Sequence, residues 1–219
     1  LNFIRESKMW VVKLGGSLAR SPELVKWLGV FYKLRRKINF IIIPGGGIFA
    51  DHIRNLQKKI GFDNDLAHRL ATLSTEQYGL FLLSKFKKLQ LADDINSVKR
   101  IFRGNGVPIF LSSKMIRNSR DVKRNWEFTS DSISAWFCQK IGAKNLILVK
   151  SANIRKLIKP GSDLGLSKLQ KRNIIDRCFK AYAKKAKLDV YCLGPKEWKE
   201  ISLEDFNRKR LGLRINLND

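Results

Sequence analysis

The sequence of 219 residues is long enough to bury a core without disulfide staples, and its hydrophobic fraction of 44% is that of an ordinary globular protein. Its longest apolar run, residues 40–43, is far shorter than the roughly 20 residues that cross a bilayer. Residues 1–10 carry charges and lack the apolar core of a signal peptide. These features exclude a membrane protein and predict a cytoplasmic one, with residues 1–8 as an extension ahead of the first strand.

The net charge of +25 suggests by itself a polyanionic partner such as nucleic acid. The lysines and arginines are spread along the whole chain, however, and no recognised nucleic-acid motif accompanies them. We therefore expect a basic solvated surface that attracts anionic metabolites, and a polynucleotide contact stays open as the alternative. Three cysteines without a CxxC pair, together with only two histidines, predict buried packing cysteines and no metal held by the protein.

Apolar strands alternate with amphipathic helices, which predicts a three-layer αβα sandwich with a mainly parallel sheet. In the first half of the chain, strands are predicted at residues 10–14, 40–43 and 107–111. Helices are predicted at residues 22–36, from about 48, at 65–89 and at 92–102. Ser21 and Pro22 have the residue types of a helix start. In the long helix, Leu66, Leu70 and Leu73 share one face.

The second half of the chain continues the alternation. Helices are predicted at residues 130–141 and 171–187, and strands at 145–149, at 189–193 and near 211–217. Residues 112–128 show no clear period, and residues 151–167, with Pro160, Gly161 and Gly165, have the composition of a loop. No repeat or linker divides the sequence, so we expect a single domain over residues 1–219.

The first candidate site directly follows the first strand. Gly15 and Gly16 allow the backbone to approach a ligand closely. The backbone N–H groups of Gly15, Gly16 and Ser17 can point at one anion, and Lys13 can reach the same anion. A tight strand-to-helix turn is the alternative interpretation, because the GxxxxGK[ST] pattern of a P-loop is absent.

The second candidate site follows the second strand, where Gly45, Gly46 and Gly47 precede a helix. Three consecutive glycines are entropically costly and are seldom chosen for a plain turn. Because the carboxyl ends of parallel strands meet at one edge of a sheet, the two glycine loops are expected to face one crevice. Together they predict a site that holds two anionic groups close to each other.

The third candidate site opens the helix predicted at residues 130–141, where Thr129, Ser130 and Asp131 are all good helix caps. Capping is one interpretation of these residues. The other places Asp131 beside the crevice, where it holds lysines in position. Since asparagine caps a helix nearly as well as aspartate, we expect Asp131→Asn to lower the reaction rate more than the stability.

Four segments together resemble the amino acid kinase family. They are VVKLGGSL at residues 11–18, IIIPGGGIFADHIR at 41–54, WEFTSDSISAWF at 126–137 and IGAKNLILVKS at 141–151. The resemblance covers about residues 9–195 and implies an ATP-dependent small-molecule kinase. The motifs PGGGxFADxxR, AHRLA and WxxTSDS are most similar to those of kinases of methanofuran biosynthesis. Those kinases phosphorylate an aminomethyl-furanyl-methyl phosphate to its diphosphate.

The resemblance also implies a role for each candidate residue. Lys13 would bridge the β- and γ-phosphates of ATP, Asp131 would orient the catalytic lysines, and Mg²⁺ would be held largely by the phosphates. Donors to the transferring group would come from Gly15, Gly16 and Ser17. The acceptor would be held by Gly45, Gly46, Gly47, Arg54, Thr129 and Ser130. Asp176 would lie near the nucleotide or the acceptor.

One segment departs from the family pattern. Members commonly follow the central strand with TDVDG-like residues, whereas residues 149–153 here read VKSAN, with Lys150 in place of the acid. A third catalytic cation at Lys150 would favour a doubly charged acceptor, and a solvated lysine at a strand end is the alternative. If the acceptor has an amine, Asp51, Glu76 and Trp126 are the candidates to bind it.

Several functional alternatives stay open. The chain could be a uridylate- or carboxylate-type kinase of the same family. It could also be a non-catalytic protein that binds anions or nucleotides, as molybdate-storage subunits do. A homo-oligomer is expected in each case, with a small phosphate as substrate and without a nucleic-acid partner.

Overall fold

The computed structural model describes residues 9–157 and 164–219. The extension predicted at residues 1–8 lies outside the described residues, as does the part of the predicted loop with Pro160 and Gly161. Within the described ranges, no helix is both long enough and apolar enough to span a membrane.

Strands and helices alternate as the sequence predicts. The strands are β1 Met9–Leu14, β2 Asn39–Pro44, β3 Gln90–Ala92, β4 Pro108–Phe110, β5 Asn145–Val149, β6 Leu164–Gly165, β7 Asp189–Leu193 and β8 Leu213–Asn216. The helices are α1 Glu23–Leu34, α2 Gly47–Ile60, α3 Asn64–Lys85, α4 Ile95–Arg103, α5 Ser113–Arg117, α6 Ser130–Ile141, α7 Leu166–Lys171, α8 Phe179–Ala186 and α9 Leu203–Arg208. Short 3₁₀ helices lie at Gly16–Arg20, Ile154–Leu157 and Glu197–Glu200.

The strands form one sheet in the order β3-β4-β2-β1-β5-β7-β8-β6. All neighbouring strands are parallel except β7 and β8, which are antiparallel. β1 lies between β2 and β5, so the loops that follow these three strands emerge side by side at one edge of the sheet. The mainly parallel sheet predicted from the sequence is therefore confirmed.

Helices cover both faces of the sheet. Alternate residues of β1 point to opposite sides, so Val11 packs in one core cluster while Trp10 and Val12 pack in the other. The first cluster includes side chains of α4, α6 and α8, and the second includes side chains of α1, α3 and α9. This arrangement confirms the three-layer αβα sandwich, and all three cysteines are buried, as predicted.

Two of the predicted helices are shorter in the structure. The long helix stops at Lys85, because Phe86 leaves helical geometry and the short strand β3 follows. The predicted helix at 171–187 is wrong over its first half, where Asn173 takes a positive φ of 53° and α8 begins only at Phe179. Hydrophobic periodicity alone does not show this break in the predicted helix. The break arises where Asp176 forms hydrogen bonds to another helix.

The leucine face of α3 is not buried in the core. Leu66 and Leu73 are 42% and 41% exposed, and Leu80 on the same face is 53% exposed. Buried residues of α3 such as Tyr78 and Leu82 face the sheet instead. The pattern of leucines therefore identified a helix correctly, and the structure shows that Leu66 and Leu73 are exposed.

Candidate active site

The central feature of the candidate site is a carboxylate held between two lysines. Lys13 follows Val12 in β1 and so points to the side of the sheet that α6 covers. Asp131 lies in the first turn of α6 and Lys150 directly follows β5, next to β1. Strand order and strand periodicity thus bring together three residues that are far apart in the sequence.

The three side chains are buried and in direct contact. The Lys13 Nζ lies 3.0 Å from Asp131 Oδ1. The Lys150 Nζ donates to both Asp131 carboxylate oxygens, at 2.8 and 2.7 Å, and to the Ile174 carbonyl oxygen at 2.7 Å. Lys150 therefore has partners for all three of its N–H donors, and it is not a solvated lysine. Lys13 has one partner among the described residues and can donate to a ligand.

The charges of the cluster depend on one another. Burial lowers the pKa of the Lys13 ammonium, which the carboxylate of Asp131 counteracts. Burial alone would raise the pKa of Asp131, but the charges of Lys13 and Lys150 outweigh it and hold this pKa at about 2. The helix terminus of α6 also favours a negative charge at Asp131. Asp131 therefore stays ionised at neutral pH, and its negative charge stabilises the buried ammonium group of Lys13 beside a cavity.

The two glycine loops are in direct backbone contact. A Cβ atom on Gly16 would lie 2.1 Å from the Gly47 nitrogen, and one on Gly45 would lie 2.5 Å from the Gly16 nitrogen. The Gly15 N–H donates to the Val149 carbonyl oxygen and the Gly45 N–H donates to that of Leu14. The Gly15 N–H thus binds the end of β5 and the Gly45 N–H binds the end of β1, so neither is available for an anion, contrary to the expectation for both glycines.

The close contact of the glycine loops gives a direct test. We expect Gly16→Ala to lower the unfolding free energy by about 1–3 kcal/mol, because the new methyl group can be accommodated only if backbone moves. Gly29→Ala is the matched control, since Gly29 lies inside α1 with no atom near its Cβ position. That control should be stabilised by roughly 0.5–1 kcal/mol. Thermal or urea melts measure both, and equal stability of the two variants would contradict the contact.

Beside the cluster lies a cavity of about 660 Å³. Its walls come from the two glycine loops, from α2 and α3, and from residues 125–131 and 173–177. The predicted site residues that line it are Lys13, Gly16, Ser17, Gly46, Gly47, Arg54, Thr129, Ser130, Asp131 and Asp176. Gly15, Gly45 and Lys150 are not among the lining residues of the described chain. Lys150 contacts the cavity wall through Asp131 and the Ile174 carbonyl oxygen.

Asp176 lines the cavity, but its carboxylate is already occupied. It accepts hydrogen bonds from the backbone N–H of Thr129 and Ser132 at 3.1 and 3.0 Å, and from both of their hydroxyl groups. A fifth bond comes from the Phe179 N–H at 3.0 Å. Burial, with the nearby charge of Asp131, raises the pKa of Asp176. Asp176 therefore caps α6 from another segment and holds the first turn that carries Asp131.

The three candidates for binding an amine occupy different places. Glu76 accepts hydrogen bonds from the Ser113 backbone and hydroxyl groups and does not line the cavity, so this candidate is wrong. Asp51 and Trp126 do line the cavity, but both are already in contact with Arg54. The Arg54 guanidinium lies 3.3 Å from the Asp51 carboxylate and 4.5 Å from the centre of the Trp126 ring.

Part of the cavity wall was not recognised from the sequence. His68, Thr72 and Thr75 of α3 line it, although all three are nearly buried. Their spacing of i, i+4 and i+7 places them on one helical face. The polar residues on a face of α3 other than the leucine face are the available indication in the sequence, but the leucines dominate the pattern of this helix.

The acidic side chains of the site are all engaged by protein donors. Among residues 9–157 and 164–219, no group of three or more histidine, cysteine or acidic side chains could hold a metal ion. Asp131 is held by lysines, Asp51 by Arg54, and Glu127 contacts Arg177 at 3.6 Å. A divalent cation in this cavity would therefore take most of its ligands from a bound phosphate.

Comparisons with known proteins agree with this arrangement. The sequence model of the amino acid kinase family matches residues 8–153. The chain is 27% identical over 191 residues to the [5-(aminomethyl)furan-3-yl]methyl phosphate kinase of Methanocaldococcus jannaschii, covering 85% of this chain and 88% of that protein.

Two solved structures share the fold. UMP kinase from Ureaplasma parvum has a TM-score of 0.67 at 14% identity, over 95% of this chain and 99% of that one. Uridylate kinase from Archaeoglobus fulgidus has a TM-score of 0.65 at 14% identity, over 94% and 99% of the two chains. At this identity the similarity concerns the fold alone.

Proposed function

Because this chain belongs to the amino acid kinase family and is a phosphotransferase, we propose that it transfers the γ-phosphoryl group of ATP to a small phosphate monoester. The observation that supports this most directly is Lys13, a buried lysine with free donors in the wall of the cavity. Its position is fixed by Asp131, and the glycine loops on both sides leave room for phosphate groups.

Phosphoryl transfer requires the protein mainly to position the reactants and to stabilise charge. In the proposed reaction an oxygen of the acceptor phosphate bonds to the γ-phosphorus, the bond to the β-phosphate oxygen breaks, and ADP leaves. Lys13 neutralises charge on the transferring group, while Gly16 and Ser17 bind the phosphates of ATP and Gly46 and Gly47 bind the acceptor. Mg²⁺ would be held mainly by phosphate oxygens and would supply further positive charge. Lys150 acts as a positioning residue, because Asp131 and Ile174 occupy its donors.

For the acceptor, we propose [5-(aminomethyl)furan-3-yl]methyl phosphate, which would become its diphosphate in the synthesis of a methanofuran-type cofactor. The relative from M. jannaschii acts on this compound, as its name states, and it matches most of the chain. Lys13, Arg54 and Arg177 in the cavity wall suit an acceptor that already carries a phosphate.

The test is turnover of ATP with magnesium against a panel of acceptors. The panel contains the furan monoester, uridylate, isopentenyl phosphate, aspartate and acetylglutamate. We expect the furan monoester to be phosphorylated best. A preference for uridylate or for a carboxylate would assign the chain to the corresponding type of kinase. If ATP binds but no acceptor is phosphorylated, a non-catalytic nucleotide- or anion-binding protein replaces the proposal.

We also propose that the protein is a homo-oligomer and that the exposed leucine face of α3 lies in the subunit contact. Leu66, Leu73 and Leu80 are spaced seven residues apart and so lie in line on one side of the helix. Three large exposed side chains in line are typical of a surface that another protein covers. The same leucine face on a second copy is the simplest apolar partner for it.

The prediction is that Leu73→Glu combined with Leu80→Glu lowers the mass of the particle measured by sedimentation velocity or light scattering. Two charges in the centre of an apolar contact cannot be buried without partners. Val25→Glu is the control, because Val25 is similarly exposed but lies on α1. A wild-type protein that is monomeric at tens of micromolar would contradict the contact, as would a double variant of unchanged mass.

A further inference from the structure

The mechanism uses none of the α3 side chains that line the cavity, and one of them, His68, has a polar atom without a partner in the described part of the chain. His68 lines the cavity and is 5% exposed, and its Nε2 atom has no hydrogen-bond partner among the described residues. Its ring lies 5.9 Å from that of Phe128. A buried nitrogen without a hydrogen-bond partner destabilises the fold.

The other polar groups in this part of the cavity have partners. Arg54 is paired with Asp51, and Glu127 contacts Arg177. The hydroxyl group of Thr72 donates to the His68 carbonyl oxygen at 2.8 Å. Among these side chains, His68 therefore has hydrogen-bonding capacity that the described protein leaves unused.

His68 lies well away from the phosphate-binding loops. Tyr78, on the same helix, donates a hydrogen bond to the Gly15 carbonyl oxygen at 3.3 Å, so this part of α3 touches the first glycine loop. His68 lies ten residues earlier in α3, and a rise of about 1.5 Å per residue separates the two positions by about 15 Å. A ligand with its phosphate near Lys13 would reach His68 with the opposite end.

The imidazole is neutral at physiological pH. Burial and the positive charge of Arg124 lower the pKa of His68, and the carboxylate of Asp65 opposes them only in part. A neutral imidazole has one N–H donor and one acceptor nitrogen, so it can bind a hydroxyl, amide or ammonium group without a net charge of its own.

We propose that His68 determines acceptor specificity by hydrogen bonding, through Nε2, to the end of the acceptor opposite its phosphate. This rests on the proposed function, since it takes the cavity to be the acceptor site. His68 also lines a second, smaller cavity of about 150 Å³ together with Asp65, Arg117 and Arg124. A water molecule there is the competing partner for Nε2.

The first experiment uses protein labelled with ¹⁵N-histidine. The chain has only two histidines, and the exposed His52 serves as internal control and can be assigned with His52→Gln. The furan monoester is titrated as one probe and inorganic phosphate as the other. We expect the monoester to shift Nε2 of His68 and not of His52, and inorganic phosphate to leave His68 unmoved. If the monoester does not bind, or binds by calorimetry without moving Nε2, the inference is wrong.

The second experiment compares His68→Leu with His68→Gln. Leucine removes the hydrogen bond and should raise the KM of the monoester at least tenfold, with kcat within threefold and the melting temperature unchanged or higher. Glutamine keeps a donor and an acceptor and should recover part of the KM. An unchanged KM in His68→Leu would overturn the inference, and so would a loss confined to the melting temperature.

These measurements separate this inference from the proposed function. If wild-type protein phosphorylates the monoester while Nε2 stays unmoved, the kinase assignment stands and the role of His68 fails. If the monoester moves Nε2 but is never phosphorylated, His68 binds the ligand and the kinase assignment fails.

Discussion

Replacing Lys13 with methionine is expected to lower turnover by about 10²–10³-fold or more while the protein stays folded. Lys13 is the lysine of the cluster that lines the cavity, so its charge is the one that the transferring phosphoryl group meets. Methionine has a similar unbranched stem and fills the same space beside Asp131. The fold is expected to survive because Lys150 still provides two hydrogen bonds to the Asp131 carboxylate.

Steady-state turnover and thermal melting of the same preparation measure the two effects of Lys13→Met separately. Lys99→Met is the matched control, since Lys99 is an exposed lysine of α4. It changes the net charge of the protein by the same amount and should keep the wild-type rate. A Lys13→Met variant whose rate stays within about threefold of wild type would overturn the catalytic role of this lysine.

Asp131→Asn is expected to lower both turnover and stability, unlike the expectation from the sequence. Asp131 is not the cap of α6 but the shared counterion of two buried lysines. Removing one partner from a buried ion pair costs about 3–5 kcal/mol, because a buried charge is left unpaired. Without the carboxylate, the two ammonium groups repel each other and the charge of Lys13 is no longer maintained.

The pH dependence of the unfolding free energy shows whether the stability lost in Asp131→Asn comes from the charge of the Asp131 carboxylate. The pKa of Asp131 is lowered to about 2 in the folded protein, so the carboxylate stabilises the fold above its unfolded pKa of about 4. That contribution disappears as the pH falls toward 2. Unfolding free energies measured between pH 7 and pH 3 should therefore show a difference between wild type and Asp131→Asn that narrows below pH 4.

Asp93→Asn provides the control for the stability measurement. Asp93 is paired with Lys114 on the surface, where both side chains are more than half exposed. Exposed pairs contribute about 1 kcal/mol or less, so little change is expected. If Asp131→Asn were no more destabilising than this control at pH 7, the buried cluster would not be held by charge.

The sequence by itself determined most of the fold and the main parts of the candidate site. The helix at Ser130–Ile141 and the strands at Asn145–Val149 and Asp189–Leu193 were predicted with the bounds that the structure shows. Hydrophobic periodicity and helix-ending glycines such as Gly142 are local properties, which is why they can be read without coordinates. Two glycine loops after adjacent parallel strands likewise predict one shared crevice, because strand ends must meet at the same edge of a sheet.

Only the tertiary structure decided how each side chain is used. Lys150 could be a solvated lysine or a buried one, and it is buried because Asp131 and the Ile174 carbonyl lie opposite the end of β5. The N–H groups of Gly15 and Gly45 could serve an anion or the fold, and they bind the neighbouring strand ends. Burial and hydrogen bonding depend on partners distant in the sequence, so neither residue type nor local spacing specifies them.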